Sequence, residues 1–308
     1  MDKNEVRPPQ EEGGLSPMTE REFALFRALI YRKAGIYLGP PKKALLAGRL
    51  SKRLRELNIR SFGKYYERVV EEDGEELITL LDRISTNETH FFREPRHFKF
   101  LEEQIFPEWK AQALSGLKNR KIRVWSAACS TGEEPYSLAM LLFDHFPPSS
   151  GWEIEILATD LSARVLKNAE AGIFSKDKAH EIPEKFLKSY MLKGTGQHAE
   201  KMKAGTAIRS IIRFSRLNLN DAAYPLNGFF DLIFCRNVLI YFNAESKARV
   251  IRRLFCYLAQ KGYLFLGHAE SVNFQDGLAR SIIPTVYTHG GKTDPNRSVL
   301  SSRVPEKH

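Results

Sequence analysis

Cysteine is scarce: Cys129, Cys235 and Cys256 are the three in 308 residues. They are too few and too scattered for a disulfide framework or a zinc site, so no metal is expected and a reducing cytoplasm is the natural setting. Long apolar runs are missing too. No stretch of about 18 apolar residues exists, which argues against a transmembrane helix. The opening segment MDKNEVRPPQEEGGLSP is polar and lacks the apolar centre of a signal peptide. No self-similar unit of about 20–50 residues is visible, which argues against a solenoid. No strand pattern occurs before Lys121.

What is present is a chain of ordinary hydrophobicity, 43% apolar, long enough for one large domain or two smaller ones. Lys and Arg number 47 against 37 Asp and Glu, a net charge of +10. That excess suits an acidic partner (nucleic acid, an anionic membrane or an acidic protein surface) without choosing among them, and basic solvated helices account for it equally well.

Residues 1–18 carry no periodicity and are expected to be disordered. Residues 19–95 read as a helical domain. In LLAGRLSKRLRELNI, Leu46, Leu50, Leu54 and Leu57 form one stripe, with Arg49, Lys52 and Arg53 on its flank. From 96 to 290 short apolar runs alternate with amphipathic helices. Strands are expected at 121–127, 153–160, 229–237 and 262–267. Helices are expected at 133–145 and 244–260, the latter with Asn243 as N-cap and Gly262 as its stop. Such alternation predicts an α/β fold, a doubly wound, largely parallel sheet covered on both faces. Residues 172–214, rich in Gly and Lys, interrupt the rhythm and read as a small hairpin-bearing insertion. The tail 291–308 reads as mobile.

The stretch RVWSAACSTGEEPYSLAM joins a strand, a turn and a helix, as nucleotide-binding domains do at their first strand. Its turn holds one glycine, Gly132, followed at once by Glu133 and Glu134. Thr131 and Glu134 have the spacing of a capping box. Glu133 is then left over, although the helix dipole alone would favour a carboxylate there. A carboxylate at this point repels a pyrophosphate by roughly 1–4 kcal/mol. The turn therefore disfavours NAD, FAD and ATP. It favours a phosphate-free, cationic nucleoside such as S-adenosylmethionine, whose ammonium Glu133 would hold. Asp160 closes the second strand in LATDLS, where an acid can accept hydrogen bonds from ribose hydroxyls. Its rival role is N-cap of the next helix, unless Ser162 takes that place.

Five strings, ISTNETHFFREPRHF, VWSAACSTGEEPYSLAM, LATDLS, RLNLND and FDLIFCRNVLIYF, occur in order between about residues 20 and 288. Together they resemble the motifs of CheR-type chemotaxis receptor methyltransferases, which are S-adenosylmethionine-dependent protein-glutamate O-methyltransferases. The resemblance implies an N-terminal all-helical domain, a doubly wound methyltransferase domain and a small antiparallel β subdomain inserted into it. It implies cofactor contacts at Asn87, Thr89 and Arg93, at Glu133 and Asp160, at Asn218 and Leu219 flanking the adenine, and at Arg236 and Asn237 past the central strand. Read locally, Asn87 and Thr89 have an ordinary alternative as caps, Arg236 as a loop arginine and Asn237 as a turn residue.

Under this resemblance the reaction is methyl transfer to a receptor glutamate, giving a methyl ester and S-adenosylhomocysteine. The carboxylate nucleophile, with a reference pKa near ~4.3, is ionised at neutral pH and needs no general base. Tyr241 is the candidate for lining the transfer site, with a packed aromatic as the alternative. His268 in LGHAES is expected near the site in a hydrogen-bonded structural role. The basic flank Arg49–Lys52–Arg53 would dock against the acidic helical bundle of methyl-accepting chemotaxis receptors, and the inserted subdomain would hold a receptor's C-terminal peptide. The enzyme would be cytoplasmic and recruited to receptor arrays. Two rivals remain: a nucleic-acid methyltransferase, for which no aromatic-rich basic groove is visible, and a non-catalytic adaptor of the same fold.

Overall fold

The computed structural model describes residues 15–71, 74–85, 87–272 and 277–291. The tail expected from 291 lies outside this set except for Gly291, as do residues 1–14. Of the rest of the 1–18 stretch, the Ser16 N–H donates to the Arg60 carbonyl and Met18 is buried.

The chain divides into two compact units. The first comprises residues up to Arg32 together with Tyr37–Ile84. It is helical: α1 (Glu20–Ala34), α2 (Lys43–Glu56), α3 (Phe62–Glu71) and α4 (Glu75–Ile84). Leu46, Leu50 and Leu54 of α2 are buried, as their four-residue spacing requires. Beside that stripe, Arg53 forks onto the buried Glu76 at 2.9 and 2.5 Å, and Tyr65 donates to the same carboxylate at 2.7 Å. Burial alone would raise the Glu76 pKa, but the bonds from Arg53 and Tyr65 outweigh it and hold it below the usual carboxylate range.

The second unit comprises Lys33–Ile36 and everything from Ser85. It opens with α5 (Pro95–Phe100) and α6 (Phe106–Leu114), joined by one π turn at Leu101–Ile105. Then follow β1 (Lys121–Ala127), α7 (Glu133–His145), β2 (Glu153–Asp160), α8 (Ala163–Ala171), β3 (Ile173–Ser175), α9 (Glu184–Tyr190), β4 (Met191–Lys193), β5 (Lys201–Ala204), α10 (Thr206–Ser210) and β6 (Ile212–Arg216). The chain ends with β7 (Phe230–Cys235), α11 (Ala244–Tyr257), β8 (Leu258–Leu266), β9 (Ala279–Ile283) and β10 (Val286–His289).

Seven strands form one sheet in the order β6-β2-β1-β7-β8-β10-β9. The first five are parallel neighbours, and β10 and β9 close it antiparallel. Alternate residues of the central strands feed opposite faces. Ile122, Val124, Ile156, Leu232 and Phe234 join a core with Phe98, Ile105 and α7. Trp125, Leu157, Ile233 and Leu264 join a second core with Val250, Leu254 and Phe255 of α11. That is the doubly wound arrangement. Helix α7 is buried all round from Glu133 to Phe143. Its Tyr136 ring packs edge-on to Phe174 of β3 at 5.5 Å, so the inserted segment shares the first core.

The insertion carries a separate antiparallel sheet, β3-β5-β4. The last residues of the 172–214 stretch are not part of it: Ile212–Arg216 pairs parallel with β2 at the edge of the large sheet. Asn243 caps α11 through a bond from the Ser246 N–H, as expected. Gly262 does not stop that helix. The helix ends at Tyr257, and Gly262 lies within β8, beside a register shift against β7. A Cβ there would meet Leu258 at 2.9 Å and the Ala259 and Asp231 carbonyls at 3.0 Å, so close backbone approach explains the glycine.

Candidate functional site

The sheet reverses its winding between β1 and β7, so the carboxyl ends of β1, β2 and β7 face one crevice. The loop after β1 is coiled tightly: Ala128, Ser130 and Gly132 have φ of 73°, 51° and 101°. Only glycine fits the last, since a Cβ would lie 2.9 Å from that of Ala169. Backbone bonds from Ala128 and Cys129 to the Thr159 carbonyl lash this loop to β2.

The capping box expected of Thr131 and Glu134 is not formed. Gly132 is the N-cap residue and makes no side-chain bond, so Glu134 stands at the second helical position, one short of the reach a box needs. Thr131 instead donates to Glu133 at 2.6 Å. Glu134 turns under the sheet, accepting from Ser126 at 2.6 Å and from Arg236 Nε at 2.7 Å. Glu133 is 1% exposed, and Lys178 of the insertion lies 2.5 Å from its Oε1.

Asp160 is also buried and accepts two backbone N–H groups at 2.9 Å, from Ser130 and from Ser162. Ser162 caps α8 by accepting from Val165, which leaves Asp160 out of the capping role. The first turn and the end of β2 thus present two buried carboxylates.

The segment 87–94 runs along this loop. The Asn87 carbonyl accepts from Ser130 Oγ at 2.9 Å, and the Thr89 carbonyl accepts from Lys178 at 3.1 Å. The Arg93 carbonyl accepts from Arg236 at 2.6 Å, while the Arg93 guanidinium donates to the Glu88 carbonyl. Phe91 N–H donates to Glu181, again from the insertion. Asn218 and Leu219 follow β6, whose end is tied to the site by a bond from Leu217 N–H to the Asp160 carbonyl. The Asn218 side chain donates to the Lys33 carbonyl, and Leu219 is buried.

Arg236 is the hub below the crevice. Its side chain is 2% exposed and lies over the rings of Phe98 and Phe234. It pairs with Glu134, and its Nη1 sits 3.5 Å from Glu94 and 3.3 Å from His97 Nδ1. Burial, then the Arg236 charge, push the His97 pKa down to about 4. Burial would raise Glu94, but Arg236 and bonds from His268 and Asn237 hold it below the usual range. Glu94, His97 and the exposed His268 offer ligand atoms within 4.8 Å of one another, but the cation among them is Arg236.

Asn237 adopts a left-handed φ of 58° and donates through Nδ2 to Glu94. Its N–H donates to Glu270, which is fully buried and also accepts from Gly267 and Ile240. Burial raises the Glu270 pKa despite these bonds. The carboxylate thereby fixes the short helical turn Leu239–Tyr241, on which Tyr241 is half-buried.

Sequence reasoning missed Lys178, Glu94, His97 and Glu270. Glu94 and His97 lie inside the quoted FFREPRHF string and Glu270 two residues past His268. For Lys178, 45 residues beyond its partner Glu133, no local pattern gives notice.

The chain matches the CheR methyltransferase SAM binding domain over residues 87–287 and the CheR methyltransferase all-alpha domain over residues 21–85. It belongs to the CheR methyltransferase family. It is 36% identical over 272 residues to a chemotaxis protein methyltransferase of Borreliella burgdorferi, covering 88% of this chain and 94% of that protein. Against chemotaxis protein methyltransferase 2 of Pseudomonas aeruginosa the figures are 35% over 273 residues, 88% and 93%. Against the chemotaxis protein methyltransferase of Escherichia coli they are 36% over 265 residues, 83% and 88%. This CheR-family chain is an S-adenosylmethionine-dependent methyltransferase, and its donor set fits that cofactor. Buried carboxylates at the mouth suit an ammonium and ribose hydroxyls and repel phosphate. Among the described residues no helix is long and apolar enough to cross a membrane.

Proposed function

We propose that this enzyme methylates glutamate side chains of methyl-accepting chemotaxis receptors in the cytoplasm, forming methyl esters and S-adenosylhomocysteine. The observation that carries the reading is the pair of buried carboxylates, Glu133 and Asp160, at the ends of neighbouring elements of the sheet's mouth. In this reading Glu133 takes the cofactor's ammonium and Asp160 its ribose. Asn87, Thr89 and Arg93 border it on one side, Asn218 and Leu219 flank the adenine, and Arg236 and Asn237 underlie the end where transfer occurs. When bound, the cofactor supplies an electrophilic methyl group on a sulfonium. The acceptor glutamate is already ionised at neutral pH, so the chain has no proton to remove. Its task is to hold donor and acceptor in line and to exclude water. The fixed turn bearing Tyr241 supports a positioning role for that hydroxyl.

The flank of α2 supports receptor docking in a narrower form than its three basic residues suggest. Arg53 is committed to Glu76 and Glu56, and Arg49 donates to the Ile84 carbonyl, whereas Lys52 is exposed. Lys52 is the charge best placed to meet an acidic helical bundle, a contact that salt weakens. In the small sheet β3-β5-β4 the strands β3 and β4 are the outer ones, and strand addition at such an edge is how a receptor's C-terminal peptide would be held, recruiting the enzyme to receptor arrays.

Incubation with methyl-labelled cofactor and receptor-containing membranes tests the activity. Base-labile label on the receptor is the expected result. Label appearing in added tRNA or DNA instead, or base-stable label, would overturn the glutamate assignment.

A further inference from the structure

We infer that Lys178 is a built-in counter-ion of Glu133, exchanged for the cofactor's ammonium when the cofactor binds. The inference rests on the reading that Glu133 holds that ammonium. Glu133 is buried and carries one negative charge. Its Oε2 is taken by the Thr131 hydroxyl at 2.6 Å, and its Oε1 by Lys178 at 2.5 Å. A second cation brought to this carboxylate would place two ammonium groups on one buried charge. The incoming amino-acid end brings its own carboxylate, so net charge does not decide the exchange; both oxygens of Glu133 already have partners, and an ammonium that takes Oε1 displaces Lys178 from it.

Lys178 is the one able to go. Its side chain is 31% exposed, against 2% for Glu133, and a lysine stem is flexible and its head strongly hydrated. Its second bond, to the Thr89 carbonyl at 3.1 Å, is to a group that water replaces readily. The residue belongs to the helical turn Lys176–Glu181 at the start of the insertion, so the small-sheet region supplies the placeholder charge. The arrangement keeps Glu133 from being an uncompensated buried carboxylate before the cofactor arrives. It also weakens cofactor binding by the strength of the ion pair it must displace.

Calorimetry with S-adenosylhomocysteine and with 5′-methylthioadenosine, which lacks the amino-acid end, tests this on the full chain. Lys178→Met and Lys178→Gln should each tighten S-adenosylhomocysteine binding about three- to tenfold, the range of a partly exposed ion pair. Neither should alter the affinity for methylthioadenosine. Unchanged or weaker S-adenosylhomocysteine binding in a folded variant overturns the exchange, since Lys178 is then indifferent or part of the bound site. Glu133→Gln separates the two layers. It should weaken S-adenosylhomocysteine binding and spare methylthioadenosine. If it weakens neither, the ammonium reading fails and the inference with it. If it behaves as expected while the Lys178 variants do not, the inference alone fails.

Discussion

Arg236 Nε lies 2.7 Å from Glu134 Oε2, and both side chains are almost wholly buried. This pair joins the end of β7 to the first turn of α7, beneath the crevice at the carboxyl ends of β1, β2 and β7. A buried ion pair is poor evidence of net stabilisation, but removing one partner strands the other. Glu134→Ala should therefore cost about 3–5 kcal/mol in urea unfolding. Glu134→Gln keeps an acceptor for Ser126 and should cost less. A loss within about 0.5 kcal/mol for the alanine variant would show that Arg236 finds other partners at no expense.

Acid should destabilise the protein through the same cluster. His97, faced by Arg236, Glu94 and His268, is held neutral with a pKa of about 4, against an ordinary 6.5. The unfolded chain takes up this proton near the ordinary value and the folded chain only near the lowered one. Folding stability is thus fully present above about pH 6.5 and falls as pH drops towards 4, by up to a few kcal/mol at about 1.4 per pH unit. Glu94, also lowered, loses its stabilising contribution further into acid. Urea midpoints between pH 7 and 4.5 should fall in the wild type. The fall should be shallower in His97→Asn.

In the helical unit, Arg53 has a structural task that its sequence position does not reveal. Arg53→Met removes both fork bonds from the buried Glu76 while the Tyr65 bond stays, and should cost roughly 2–4 kcal/mol. Lys52→Glu should leave thermal stability unchanged while slowing receptor methylation several-fold at low salt, with the difference shrinking in about 0.5 M salt. Charge reversal at Arg49 and Arg53 together would mix docking with unfolding. Equal rates for Lys52→Glu and wild type at low salt would remove α2 from the docking surface.

Glu270 holds the turn that carries Tyr241. In Glu270→Gln, an amide N–H would face backbone N–H groups now served by Oε2, those of Asn237 and Gly267. The turn should shift, lowering kcat about ten- to a hundredfold, as loss of in-line geometry does. S-adenosylhomocysteine affinity should change by less, because Glu133 and Asp160 are untouched. Loss of cofactor binding in step with kcat would mean that Glu270 supports the whole crevice and not the turn alone.

Local chemistry made much of this molecule legible in advance. The strands Lys121–Ala127 and Glu153–Asp160 follow from apolar runs bounded by small and acidic residues. Asn243 and Ser162 cap helices because their side chains reach backbone N–H groups three residues on. The doubly wound sheet follows from strand–helix alternation, and the acid at the helix entrance pointed to a cationic cofactor because charge complementarity is a local property. Pairings over long separations were another matter. Glu134 reads as a capping residue until folding brings Arg236, 102 residues later, against it. Arg53 reads as a surface charge until α4 delivers Glu76. Gly262 reads as a helix stop until β7 and β8 are side by side. Lys178 has no signature at all until the insertion packs beside α7. The sequence by itself determined which elements form and which carboxylates stand at the crevice, because those depend on neighbours along the chain. Only the tertiary structure decided which buried charges pair, because a buried charge takes as its partner whatever opposite charge the packing brings within a few ångströms.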